Sequence, residues 1–206
     1  MPAMAAPIVI VGVSTALGGH LSGMERTPGD LRALGLAGAI RARPLLAEAD
    51  VRDAGDLVVE PGFVPDADRR ARNRARICEF LPRERDLVAS VLGGPAATGA
   101  QFGAGMLGTA AGLGALAGWA AAVAREVDGL YVAFDVDCLD ASGGWAVTMP
   151  EPDGLSLATA LAAVRTLATA IPVVGFGATA VTIANGNGPA TVDAIARLAE
   201  AALAPT

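Results

Sequence analysis

Short runs of Val, Ile and Leu alternate along this chain with longer stretches in which apolar residues recur every three or four positions. The runs are PIVIVGV at 7–13, DLVVE at 56–60, LVASVL at 87–92, LYVAFDV at 130–136 and PVVGFG at 172–177. Each has the length and β-branched content of a buried strand. The longer patterns are PGDLRALGLAGAIRA from Pro28, DADRRARNRARICEF from Asp66, an Ala/Gly stretch at 104–124, SLATALAAVRTLAT from Ser156 and ATVDAIARLAEAAL from Ala190. Strands joined by helix-length connections predict an α/β fold, a parallel sheet with helices on both faces, in one domain spanning 1–206. Thr27 ahead of Pro28, and Ser156 after Gly154 and Leu155, mark two helix starts.

The stretch from Ala104 to Ala124 is long enough to cross a bilayer and carries no charge. Most of it is Ala and Gly, and it lacks an aromatic belt or basic flanks, so it reads as a buried helix loosened by glycine. Within it GAGMLG, Gly103 to Gly108, matches the glycine pattern of a dinucleotide loop. No strand pattern precedes it and no acidic residue closes a following strand, which favours helix packing over nucleotide binding.

Composition narrows the chemistry. Hydrophobic residues make up 53% and charged residues 17%, so a folded core is expected. All 15 basic residues are Arg, which excludes a Schiff-base lysine and the lysine of a P-loop. A net charge of −6 argues against a broad nucleic-acid surface. The basic run Arg69 to Arg76 is flanked by Asp66, Asp68, Glu79, Glu84 and Asp86 and reads as a solvated helix face. Cys78 and Cys138 form neither a disulfide framework nor a zinc knuckle, which suits a reducing cytoplasm, and the first residues lack the basic region of a signal peptide. His20 is the sole histidine and reads as a polar loop residue, which makes a His-rich metal site and a Ser-His-Asp arrangement implausible.

The candidate chemistry lies at the end of the fourth run. After Tyr131, Val132, Ala133 and Phe134 come Asp135, Asp137 and Asp140. If the strand continues through Val136, its period of two sets Asp135 and Asp137 on one face, at the carboxyl edge where parallel sheets hold ligands. Two adjacent carboxylates repel, so a cation is the natural third party.

FDVDCLD followed by MPEPDGLS resembles the C-terminal metal motif of the ureohydrolases, the superfamily of arginase, agmatinase and formimidoylglutamase. In that resemblance Asp135 and Asp137 fall on metal positions, Asp140 on the acidic position after them, and Pro150, Glu151, Pro152, Gly154 and Leu155 on the loop that follows. IVIVGVSTALGG with GMERTPGDLRALGL resembles the family's opening strand and helix entry, through Gly23, Pro28, Leu31, Arg32 and Gly35. VRDAGDL at 51–57 is similar to the Asp-x-Gly-Asp element after it, and VVGFGATAV and ATVDAIARLAEAAL are similar to the last strand and helix. The resemblance covers roughly residues 7–60 and 122–204, and it implies a three-layer arginase-like sheet, shortened here.

The departures bear on function. The family holds a paired manganese centre with four Asp and two His, drawn from three motifs. Here LGGPAATG stands at the first, with Pro95 and Ala96 in place of Asp and His, and the second has no counterpart. About 40 residues separate Gly94 from Asp135, which implies an internal deletion near 94–108. Gly177 and Ala180 stand where the family has acidic residues, Ala141 where it has Pro, and Asp153 where it has Gly. The resemblance therefore implies a catalytically impaired or inactive relative, with Asp135 and Asp137 as its remaining metal residues and weak Mn²⁺ binding. Its expected partners are a small guanidino-type ligand and either further copies of itself or an intact family member. The alternatives are a metal-dependent hydrolase of a guanidino or formimino compound, and an α/β small-ligand or nucleotide-binding domain.

Overall fold

The computed structural model describes residues 7–14, 24–58, 82 and 104–204. The expected strand at 87–92, the helix from Asp66, the Arg69 to Arg76 run, His20, Cys78, the LGGPAATG loop and most of the junction near 94–108 lie outside them.

Strand β1, Ile8–Ser14, pairs in parallel with β2, Val51–Val58, and two helices connect them. The single helix expected from Pro28 is instead α1, Thr27–Ala33, and α2, Leu36–Arg41. Gly35 makes the break: its φ of +84° is left-handed, a conformation that glycine adopts without steric cost. Its N–H closes α1 on the carbonyl of Arg32 while its own carbonyl accepts from Ala39 to begin α2. Thr27 does not cap α1 either. A 3-10 turn, Met24–Arg26, leads straight into the helix, and the Thr27 hydroxyl donates to the carbonyl of Val181, 2.7 Å away.

β2 begins five residues earlier than the apolar run DLVVE, because Arg52, Asp53 and Asp56 sit in the ladder as exposed rungs. The register against β1 shifts between Ile10, opposite Asp53, and Gly12, opposite Asp56. Ala54 and Gly55 form this bulge, with Gly55 at φ +81°. In a regular strand residues three apart face opposite ways. The extra residue turns Asp53 and Asp56 to one side, and Arg32 of α1 binds both: Nε to Asp53 Oδ2 at 2.6 Å, Nη2 to Asp53 Oδ1 at 2.9 Å, and Nη1 to Asp56. These partners push the Arg32 guanidinium further toward its charged form, and Arg32 in turn holds the Asp53 carboxyl down at about 2.

The second half begins with α3, Ala104–Leu107, and α4, Ala110–Val123. The Thr109 hydroxyl caps α4 by accepting from Gly112 N–H at 3.0 Å. Gly112 is required there, because a Cβ would lie 1.8 Å from the carbonyl oxygen of Met106. Gly112, Leu116 and Ala120, spaced by four, form the buried stripe of α4 and let it approach α5, Leu157–Ala170, closely. No helix among the described residues is long and apolar enough to cross a membrane.

Strands β3, Leu130–Asp135, and β4, Val173–Thr179, pair in parallel, with α5 as their crossover. Ser156 caps α5 as expected, its hydroxyl accepting from Thr159 N–H at 3.1 Å. The last helix, α6, Gly188–Leu203, starts two residues before the expected pattern, with Pro189 in its first turn and Asn187 as its cap. It packs on α5 and β4 on one side and on α2 on the other. Leu116, Phe134, Val136, Leu139, Leu161, Val164, Ile195 and Leu198 form the main core. Each large aliphatic side chain fully buried there contributes about 1.5–3 kcal/mol.

Candidate carboxylate site

β3 alternates strictly: Val132 and Phe134 are buried against the helices, while Tyr131, Ala133 and Asp135 face outward. The chain then departs from the expectation that the strand runs on. Asp135 is its last residue, and Val136–Cys138 form a 3-10 turn with Val136 fully buried. Anchoring Val136 in the core forces the turn, and the turn brings the two carboxylates together by a different route from strand periodicity.

Their proximity is electrostatically visible. Burial, the Asp135 charge and a hydrogen bond between the two carboxyl groups push Asp137 up to about 6, with Glu151 adding to the effect. Glu151 is delivered by a fold-back of the loop. Ala141 N–H donates to the Glu151 carbonyl at 3.1 Å, Asp140 N–H to the Leu155 carbonyl at 2.9 Å, and Leu155 N–H to the Cys138 carbonyl at 2.8 Å. Gly154 makes this fold-back fit, since a Cβ there would stand 2.6 Å from the Cys138 carbonyl oxygen. Asp153 adopts φ +58° in the same loop. Left-handed backbone suits Gly best and Asp next, which explains why Asp can stand there.

Asp140 takes another role. Its carboxylate accepts from Ser142 N–H at 2.9 Å and from the Ser142 hydroxyl, which holds it below the usual carboxylate range. It caps a turn and faces Ser142 instead of joining Asp135 and Asp137. The Cys138 thiol is pushed up to about 11 by burial and by the two aspartates, which makes it a poor nucleophile. Downstream, Ala180 is held at φ +60°, and its carbonyl accepts from Thr148 N–H at 3.4 Å.

Sequence reasoning missed Tyr131. It lies on the face of Asp135, and its side chain crosses to β4, where its hydroxyl covers Gly177. The missing signal was the pairing register, which sets Tyr131 opposite Gly175 and Ala133 opposite Gly177.

A paired manganese centre needs more donors than this edge offers. Asp135 and Asp137 are hard oxygen donors suited to a divalent ion. Among the described residues, however, no group of three or more His, Cys, Asp or Glu is placed to hold a metal. The described residues alone do not fit a two-metal site.

The Arginase family model matches residues 109–204. Across the whole fold the chain is similar to the arginase of Bacillus caldovelox, with 17% identity, a TM-score of 0.69, and coverage of 97% of this chain and 99% of that one. It is similar to the arginase of Entamoeba histolytica solved with L-ornithine, at 13% identity and TM-score 0.70, covering 97% and 99%. The formimidoylglutamase of Bacillus subtilis follows at 16% identity and TM-score 0.62, covering 98% and 87%. At the level of sequence, no match to a curated protein was found.

Proposed function

We propose, from the premise that residues 109–204 are Arginase-family sequence carried on an arginase-like fold, that this chain is a ureohydrolase-like protein whose hydrolytic centre is reduced to one carboxylate edge. It binds small linear guanidino or amidino cations at Asp135 and Asp137 and turns them over poorly or not at all. The crowding of these two carboxyl groups carries the reading, because they stand together at the strand end with no further ligand group for a second metal among the described residues. A monovalent organic cation needs only a small cluster of negative charge with hydrogen-bond acceptors, and these two carboxylates can offer it. Any Mn²⁺ that meets Asp135 and Asp137 finds too few further ligands among the described residues to be held tightly. A second copy of this chain, or an intact relative, is the proposed protein partner.

The test is to incubate purified protein and excess Mn²⁺ with agmatine, L-arginine or N-formimidoyl-L-glutamate, following urea and formamide release beside calorimetric binding. Binding without release above the blank is expected. Turnover on the order of 1 per second or faster, the ordinary range for enzymes, would overturn the proposal in favour of a metal-dependent hydrolase.

A further inference from the structure

Parallel strands place Asp135 opposite Thr179, Ala133 opposite Gly177 and Tyr131 opposite Gly175. On the outward face this leaves Ala133, Gly175 and Gly177 as a bed of minimal side chains, with Tyr131 as its one large residue. The Tyr131 ring leans forward across that bed. A Cβ at Gly177 would lie 2.1 Å from the phenolic oxygen and 3.1 Å from the ring carbon that bears it. No side chain at 177 is compatible with Tyr131 in this position. The phenol occupies the space that a side chain at 177 would need, so where the resemblance places an acidic side chain this chain presents a neutral hydroxyl. Along β3 the level of Gly177 and Ala133 is two residues short of Asp135, about 7 Å at strand spacing. That separation is spanned by a planar cation that touches a phenol oxygen at one end and a carboxylate at the other.

We infer that Tyr131 is a ligand-positioning residue of the Asp135 and Asp137 edge, its hydroxyl accepting from a guanidinium or amidinium N–H while the carboxylates neutralise the charge. This rests on the proposed function and adds the group that orients the ligand. A phenol accepts and donates without adding charge, so it can select a planar N–H donor over a bare metal ion. A purely structural role, covering two strand glycines with an aromatic ring, predicts no effect on ligand affinity.

Tyr131 is the only tyrosine in the chain, so ¹³Cζ-tyrosine labelling gives one NMR signal that reports on it alone. The protein is titrated with agmatine in chelator, with Mn²⁺ alone as a separate arm, while calorimetry measures affinity. The expected result is that agmatine moves the signal and that Tyr131→Phe weakens agmatine binding about tenfold, the worth of one hydrogen bond to a charged group. Gly177→Ala keeps the phenol but pushes it aside, and should weaken binding similarly; it decides the question if Tyr131→Phe fails to fold. Agmatine binding with unchanged affinity in both variants, or without moving the signal, overturns the role of Tyr131 and leaves the guanidino-binding reading intact. An absence of heat with agmatine and L-arginine, with Mn²⁺ alone moving the signal, overturns both.

Discussion

Arg32 grips Asp53 with two nitrogens, Nε at 2.6 Å and Nη2 at 2.9 Å, from a helix 21 residues earlier in the chain. The same guanidinium reaches Asp56 and the Gly55 carbonyl, so one side chain fastens α1 to the bulge of β2. The Asp53 carboxyl, held at about 2, is depressed on folding. Its contribution is therefore fully present above about pH 4, the unfolded value, and is lost as pH falls through about 2. Asp53 is 36% exposed, so solvent screening limits the effect to about 1 kcal/mol. Arg32→Ala should lower the melting temperature at pH 7 and flatten the acid limb of a stability-versus-pH curve. An unchanged acid limb would show that the contact contributes nothing.

The carboxylate edge responds with the opposite sign. Asp137 is raised on folding to about 6, so its contribution is present below about pH 4 and lost as pH rises through about 6. Asp137→Asn keeps the neutral form at every pH. In chelator at pH 7 it should raise the melting temperature or leave it unchanged, by on the order of 1 kcal/mol at most. A fall in chelator would mean that the ionised pair is satisfied by something else.

Metal content gives an independent readout. With two crowded carboxylates and no third ligand among the described residues, dialysed protein should retain well under one manganese per chain by elemental analysis. Added Mn²⁺ should shift the melting temperature little. Two equivalents surviving dialysis, or a large rise that vanishes in Asp137→Asn, would restore a working metal site.

Backbone strain supplies a fourth expectation. Ala180 is held at φ +60° with a Cβ that crowds the backbone. Ala180→Gly should stabilise the fold by roughly 0.5–1 kcal/mol, after the greater freedom of Gly in the unfolded chain is subtracted. Asp153→Gly, at φ +58°, should gain less, because Asp tolerates this region. Chemical denaturation of the two variants side by side decides it, and a loss of stability in Ala180→Gly would contradict the steric account.

The parts legible in the sequence are those in which local pattern and tertiary packing agree. Leu130–Asp135 was readable because Val132 and Phe134 face the core and Asp135 ends the apolar run. α5 was readable because Ser156 is both the first polar stop and a true cap. The break at Gly35 was not: residues 28–42 keep an acceptable helical period on both sides of it, and only φ distinguishes a tolerated glycine from a hinge. The early start of β2 was hidden because its rungs Asp53 and Asp56 are charged and paired with Arg32, a long-range partner that no window of sequence contains. At the site, sequence identified the two aspartates as neighbours for the wrong geometric reason, since a turn joins them instead of strand alternation. Tyr131 over Gly177 depends on the register of two strands more than 40 residues apart, which composition does not encode.

The docking of α6 on both α2 and β4 bears on how the chain reaches this state. Glu200, buried in α6, accepts from the backbone N–H of Leu45 at 3.0 Å and lies 3.3 Å from Arg43 Nε, closing a contact between positions 155 residues apart. Loop-closure entropy grows only slowly with such a span, so the cost in equilibrium stability is modest. The cost in rate is larger, since folding slows as the separation of contacting residues rises. The β1–α2–β2 half has its small core of Ile40, Leu46 and Val51 completed by Ala196, and until α6 arrives that apolar surface stays open to solvent. During synthesis it must wait for the greater part of the sequence to follow, and apolar surface left open over such an interval favours aggregation.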